Sequence, residues 1–252
     1  MTLQTFFVEN PVCAIAFSGG VDSAVLLSAA AAYGRRTAAY FVQTAFQPGF
    51  ELEDARETAR ALGVELRVLE TDILSVPEVA ANPADRCYYC KRALFSRLLE
   101  AAGRDGFPLV LDGSNASDDA GDRPGMRALA ELGVRSPLRE CGIGKAEVRR
   151  MAREAGLGVW DKPSYACLAT RIPTGTVITA EDLARAERGE AALMALGFSD
   201  FRLRLRGENG LLQVREEQFE MARKLLPEIR ERLAGDFRGV SLDETARMNR
   251  ET

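Results

Sequence analysis

The chain has 252 residues, 46% of them hydrophobic, enough to bury a full core as one large domain or as a domain with a smaller appendage. With 33 Lys and Arg against 37 Asp and Glu, the net charge of −4 argues against a general nucleic-acid or membrane-surface binder. The absence of histidine excludes Ser-His-Asp and Cys-His catalysis, His-ligated zinc and His general bases.

Residues 12–17, an apolar run, read as a buried strand. The next six residues are Ser18, Gly19, Gly20, Val21, Asp22 and Ser23, and they open a helix-forming stretch over 24–33 that stops at Gly34. A glycine-rich turn between strand and helix brings backbone N–H groups close to a phosphate, and the helix N-terminus adds positive potential. Gly19 and Gly20 permit the approach, Ser18 and Ser23 add hydroxyl donors, and Asp22 can hold Mg²⁺. The segment has no lysine and lacks Walker A spacing.

Residues 37–42 read as a second strand, 51–62 as an amphipathic helix and 64–69 as a third strand. A loop over 77–85 leads to a helix over 88–102 and a fourth strand over 109–111. Further helical patterns lie at 126–132 and 145–155. This alternation predicts an α/β fold with a doubly wound parallel sheet and ligand sites at the strand C-termini. From residue 179 the pattern changes to a helix over 180–196, a strand over 201–206, a turn at 208–210 leading to a second strand over 211–214, a helix over 217–233 and a strand over 237–242. The expected organisation is a nucleotide domain over 1–165 and a small α+β domain over 166–252, the boundary lying in the proline-bracketed segment between Lys162 and Gly175.

Four further segments carry chemistry. Cys87 and Cys90 form a Cys-x-x-Cys at a helix start, suited to zinc, an iron–sulfur cluster or a disulfide. An odd total of five cysteines points toward reactive or metal-binding thiols rather than a disulfide framework. Cys167 lies in a loop between Pro163 and Pro173, where Lys162 and Arg171 can favour its thiolate; the alternative is a half-buried structural cysteine. Cys13, inside the first strand, reads as a core residue, and Cys141 carries no motif. The fourth strand ends in Asp112-Gly113-Ser114-Asn115-Ala116-Ser117-Asp118-Asp119, whose adjacent carboxylates Asp118 and Asp119 either bind Mg²⁺ or form a helix-capping turn. Arg202, Arg204 and Arg206 alternate toward one face of a strand, as a phosphate site or as a solvated face.

Taken together, SGGVDS at Ser18, RCYYCK at Arg86, DGSNASDD at Asp112, DRPG at Asp122, RSPL at Arg135, KPSYACLATRIP at Lys162 and FRLR at Phe201 resemble the LarE-type ATP-dependent sacrificial sulfur transferases of nickel-pincer nucleotide synthesis. SGGVDS alone resembles the pyrophosphatase (PP) loop of enzymes that split ATP into AMP and pyrophosphate while adenylylating an oxygen. The resemblance implies a PP-loop fold binding MgATP through residues 18–23. The implied substrate is pyridinium-3,5-dicarboxylate mononucleotide, adenylylated on a carboxylate, with Cys167 then displacing AMP. It further implies that Cys87, Cys90 and Cys167 hold a [4Fe-4S] cluster carrying the transferred sulfur, or that Cys167 gives up its own sulfur. Arg171, Arg202 and Arg204 correspond to positions near the substrate phosphate, and Glu190 to an acidic residue near the site. Two departures stand out: Thr170 replaces a commoner serine, and Gln213 stands where an acidic residue is usual. A homo-oligomer, hexameric in the family, is implied, with no nucleic-acid or membrane partner. No apolar run spans a bilayer and residues 1–5 carry no signal-peptide pattern, so the expected compartment is the cytoplasm. The alternatives are a tRNA-thiolating enzyme, an ammonia-using amide ligase and a non-catalytic AMP sensor.

Overall fold

The computed structural model describes residues 1–118 and 124–247, so Asp119, a candidate Mg²⁺ ligand, lies outside the described residues. Helix α1 (Leu3–Glu9) is capped by Thr2, whose Oγ1 accepts from the Thr5 N–H, and it buries Leu3, Phe6 and Phe7. The apolar run then forms β1 (Val12–Ala16), and the glycine-rich turn leads into α2 (Val21–Tyr33). β2 (Arg36–Gln43), α3 (Gly49–Ala61) and β3 (Glu65–Glu70) follow. The expected loop contains the short α4 (Pro77–Ala80), ahead of the long α5 (Arg86–Arg104) and the two-residue β4 (Val110–Leu111). α6 (Pro124–Glu131), α7 (Pro137–Glu140) and α8 (Lys145–Glu154) complete this part of the chain.

The chain divides into two compact units. The first comprises Met1–Thr44, Gly49–Val79 and Asp85–Lys162; the second comprises Ala45–Pro48, Ala80–Ala84 and the chain from Pro163 onward.

In the first unit the four strands pair in parallel in the order β3-β2-β1-β4. Alternation along the strands gives each sheet face its own core. Cys13, Ile15, Ala39 and Phe41 point into one cluster with α1, α2 and α8, while Ala14, Ala38 and Tyr40 point into the other with Leu98, Ala102 and Leu129. Because β2 lies on one side of β1 and β4 on the other, the strand order reverses there. In open parallel sheets that reversal leaves a crevice at the strand C-termini, where ligands bind.

The second unit contains α9 (Ala180–Ala195), β5 (Arg202–Arg206), β6 (Asn209–Gln213), α10 (Phe219–Arg232) and β7 (Gly239–Leu242). Its sheet has the order β5-β6-β7, with β5 and β6 antiparallel and β6 and β7 parallel. The hairpin turn is not at 208–210 as expected. Arg206 pairs with Asn209, so Gly207 and Glu208 make the turn, Gly207 at a φ of 60°. Gly210 is instead a strand residue needed for close packing, since a Cβ there would lie 3.0 Å from Leu203 Cδ1 and 3.2 Å from Phe237 Cδ1.

Candidate active site

The loop after β1 turns sharply because Gly19 takes a φ of 75°, open to glycine and strained for other residues. A Cβ at Gly19 would lie 3.1 Å from the Glu51 carbonyl, so the loop is also packed against α3. Ser23 knits the turn: its hydroxyl donates to the Gly20 carbonyl at 3.0 Å, accepts from the Ser18 N–H at 3.3 Å and lies 3.2 Å from Ser18 Oγ. Ser18 stays exposed, and the first-turn N–H groups of α2 have no acceptor inside the helix.

The loop after β4 lies against this turn, since a Cβ at Gly113 would sit 2.9 Å from the Ser23 backbone nitrogen. Asn115 donates from Nδ2 to Asp22 Oδ1 at 3.0 Å. Lys145, at the first position of α8, donates from Nζ to the other Asp22 oxygen at 2.7 Å. Its helix start is held in turn by Ser117, whose Oγ accepts from the Lys145 N–H at 3.0 Å. The sequence reading missed Lys145; the signal was its place directly after Gly144 at a helix start, which repeats the logic of the first loop. Asp112 is structural, accepting from Ser114 and Ser136 hydroxyls, both at 2.5 Å. Lys162 pairs with Asp54 and lies 5.1 Å from the Phe50 ring centre.

The second unit carries the Cys167 loop. Cys167 precedes a 3-10 turn (Leu168–Arg171), and its carbonyl accepts from the Thr170 N–H at 3.0 Å and the Thr170 hydroxyl at 2.9 Å. Leu168 N–H donates to the Phe46 carbonyl at 2.8 Å. Arg171 is 0% exposed and each of its three guanidinium nitrogens donates. Nε and Nη2 donate to the two oxygens of Glu190, each at 2.7 Å. Nη1 donates to the Ala166 carbonyl at 2.8 Å, the Thr170 hydroxyl at 2.7 Å and the Cys167 carbonyl at 3.4 Å. Burial, the largest single effect, opposes the charge on Arg171, but the Glu190 bonds and the charge of Glu190, with smaller contributions from Tyr165 and Cys167, together raise its pKa. Glu190 is itself buried, and it also accepts the Leu203 N–H at 2.8 Å and the Tyr165 hydroxyl.

On β5, Leu203 and Leu205 face the core while the three arginines share the other face, progressively more exposed from Arg202 to Arg206. Arg202 is buried, donating to the Phe201 carbonyl at 2.6 Å and the Ser164 carbonyl at 3.4 Å, with no carboxylate in ion-pair range among the described residues. Burial, then repulsion from Arg171 and Arg247, pushes its pKa down to about 10. Arg204 reaches the Thr170 carbonyl and donates to Gln213 Oε1 at 2.9 Å; burial and Arg171 lower its pKa too. Gln213 passes the contact on, donating to Asp243 at 2.7 Å, so a carboxylate stands behind the amide that replaces it.

Cys87 and Cys90 lie in the first turns of α5, three residues apart and so on one side, Cys87 exposed and Cys90 half-buried. Within either unit, no group of three or more Cys, Asp or Glu side chains gathers as a metal-ligand set among the described residues. Burial pushes the Cys13 thiol up to about 11 and raises that of Cys141, which marks both as poor nucleophiles. No helix among the described residues is long and apolar enough to cross a membrane.

Comparison with known proteins agrees with this geometry. Residues 7–118 match the asparagine synthase family. An uncharacterised protein of Synechocystis sp. is 38% identical over 86% of this chain and 82% of its own length. The pyridinium-3,5-bisthiocarboxylic acid mononucleotide synthase of Lactiplantibacillus plantarum is 33% identical over 80% of this chain and 74% of its own length. A tRNA-specific 2-thiouridylase of Frankia alni is 33% identical over 59% of this chain and 52% of its own. With a PP-loop nucleotide fold and 33% identity over 80% of its length to the mononucleotide synthase, the chain belongs to the LarE family of ATP-dependent sulfur-transferring enzymes.

Proposed function

We propose that the protein adenylylates a carboxylate of pyridinium-3,5-dicarboxylate mononucleotide with ATP and replaces the activated oxygen by sulfur, using Cys167, in the cytoplasm. The observation that supports this reading most is the Cys167 loop: a buried arginine held by Glu190 donates from Nη1 to the backbone around one cysteine, and a second buried arginine has no carboxylate partner among the described residues.

In the first step the substrate carboxylate attacks the α-phosphorus of ATP, the bond to the bridging oxygen breaks, and pyrophosphate leaves. In this reading the α2 N-terminus and the Lys145 ammonium, which is bonded to Asp22, stabilise charge on that leaving group. Magnesium takes oxygen ligands and binds through one or two carboxylates plus phosphates, which the half-buried Asp22 carboxylate fits. In the second step the Cys167 thiolate attacks the acyl carbon; a C–S bond forms, the C–O bond breaks, and AMP departs with the electron pair. A base then removes the Cys167 Cα proton and the Cβ–S bond breaks with its pair going to sulfur, leaving a thiocarboxylate and dehydroalanine at 167. Arg202 and Arg204 bind the substrate phosphate in this reading, while Arg171 and Glu190 hold the loop rather than touch substrate.

The two thiols of α5 and Cys167 match the donor set of a three-thiolate [4Fe-4S] cluster, and these are the residues that would hold one. Such a cluster, when bound, supplies an open iron on which extra sulfide is delivered in place of cysteine sulfur. The similarity to a tRNA thiolating enzyme covers 59% of the chain, against 80% for the mononucleotide synthase, which favours the small-molecule substrate.

The test is intact-protein mass spectrometry after reaction with ATP and the dicarboxylate nucleotide. A loss of H₂S at Cys167 marks the sacrificial route, and an unchanged mass with several products per chain marks the cluster route. Wild-type thiolation by Cys167→Ala overturns the proposal.

A further inference from the structure

Glu190 receives four donors, and one of them comes from the cysteine loop itself: the hydroxyl of Tyr165, two residues before Cys167. Arg171, held by the same carboxylate, donates to the Ala166 and Cys167 carbonyls. The bonds therefore close a ring, from Tyr165 to Glu190, to Arg171, to the main chain at Ala166 and Cys167, and back along the backbone to Tyr165. The ring of Tyr165 also lies 4.7 Å from the Arg171 guanidinium carbon and 5.7 Å from that of Arg202, within cation–π range of both. After the cysteine, the 3-10 turn and the Leu168 bond to Phe46 hold the chain. Before it, Tyr165 ties the chain to the same buried carboxylate.

We infer that Tyr165 is a positioning residue for sulfur transfer, fixing the backbone that carries Cys167 through Glu190 and Arg171. The inference rests on the reading of Cys167 as the sulfur-bearing residue. A phenylalanine here would fill the same space, so a purely apolar role does not require the hydroxyl. The hydroxyl bonds to a charged acceptor, the class of hydrogen bond whose loss has the larger effect.

The test is Tyr165→Phe in the full chain, kept iron-free with a chelator and treated with iodoacetamide, with modification mapped at each cysteine. Cys13, 0% exposed in β1, serves as the internal reference for unfolding of the first unit, and hydrogen exchange at the buried Leu203 and Leu212 as that for the second. Loosening the loop makes Cys167 react roughly ten-fold faster while Cys13 stays protected, the weight of about one hydrogen bond to a charged group. In the same variant, single-turnover thiolation falls by a similar factor while pyrophosphate release keeps its kcat and KM. Unchanged Cys167 alkylation overturns the inference, and so does a parallel rise at Cys13 or in the exchange of Leu203 and Leu212, which reports lost stability rather than lost positioning. Tyr165→Leu, which also removes the ring, gives a larger change in the same direction; a change no larger than that of Tyr165→Phe leaves the ring contacts without a part. Failure of the sulfur-transfer reading is separate: Cys167→Ala then still thiolates substrate, whatever the alkylation pattern of Tyr165→Phe.

Discussion

A guanidinium taken out of water without a carboxylate partner raises the free energy of the folded state, and Arg202 is such a group among the described residues. Its folded pKa of about 10 lies below the ordinary guanidinium range, so folding disfavours its charged form. The sign follows from linkage: the penalty is full below about pH 10 and fades as the pH rises toward the ordinary guanidinium pKa. Arg202→Met is therefore expected to raise the melting temperature at neutral pH by roughly 2–6 °C, consistent with about 1–2 kcal/mol in a chain of this size. The gap should narrow above pH 10. Inorganic phosphate should stabilise the wild type and leave the variant unmoved in a thermal-shift titration. A variant less stable than the wild type, or equally stabilised by phosphate, removes the phosphate-site role. The residue scale also separates what the sequence could and could not show. The alternation of Arg202, Arg204 and Arg206 was legible, because strand geometry fixes it. The engagement of Arg171 with Glu190 was not, because it depends on how α9 packs on β5, which no local pattern encodes.

Among the elements, those with strong periodicity or a long apolar run were legible, and their ends differ from expectation by at most three residues: α2, α5, α8 and α9 are examples. α1 was missed because seven residues with Leu3, Phe6 and Phe7 inward are too short for a helical period to stand out. The hairpin was misplaced because Asn209-Gly210 carries the usual turn signature, whereas packing by Leu203 and Phe237 requires Gly210 in the strand. Gly189 follows the same logic in a helix: alanine would be better by about 1 kcal/mol on propensity. A Cβ there would meet Leu203 Cδ2 at 2.4 Å, and this close approach lets Glu190 reach the Leu203 N–H. The meeting of the β1 and β4 loops yields a prediction of the same kind. Gly113→Ala places a Cβ 2.9 Å from the Ser23 nitrogen, so one loop must move off the start of α2. Displacement of a phosphate-binding backbone by a fraction of an ångström is expected to lower kcat/KM for pyrophosphate release by about 10²-fold. The measurement is ATP-dependent pyrophosphate release, with circular dichroism to verify the fold. Wild-type kinetics would mean that the two loops do not jointly form the phosphate site.

At the scale of the whole chain, the two compact units are not two consecutive stretches of sequence. Ala45–Pro48 and Ala80–Ala84 leave the stretch that builds the parallel sheet and join the unit formed from Pro163 onward. Their integration is specific. Phe46 is 2% exposed and its carbonyl takes the Leu168 N–H, next to the cysteine. Asn82, buried at a φ of 53°, accepts the Gly175 N–H on its carbonyl and donates from its side chain to the Pro173 carbonyl. Ala80 accepts the Ile178 N–H. A cut at the apparent boundary therefore removes from the second unit the backbone partners of Leu168, Gly175 and Ile178, three groups that frame the Cys167 loop. Leu168 and Ile178 are buried, and a buried amide left unpaired costs about 1–3 kcal/mol, a large share of the stability of a small domain. Residues 163–252 expressed alone are thus expected to lack a cooperative unfolding transition and to exchange the amides of 168–178 rapidly. Co-expression with residues 1–162 should recover a complex in which those amides are protected. Hydrogen exchange with mass spectrometry reads both. A fragment 163–252 that folds cooperatively, with 168–178 already protected, would show that the two inserted segments are dispensable and that the cysteine loop is built by its own unit alone.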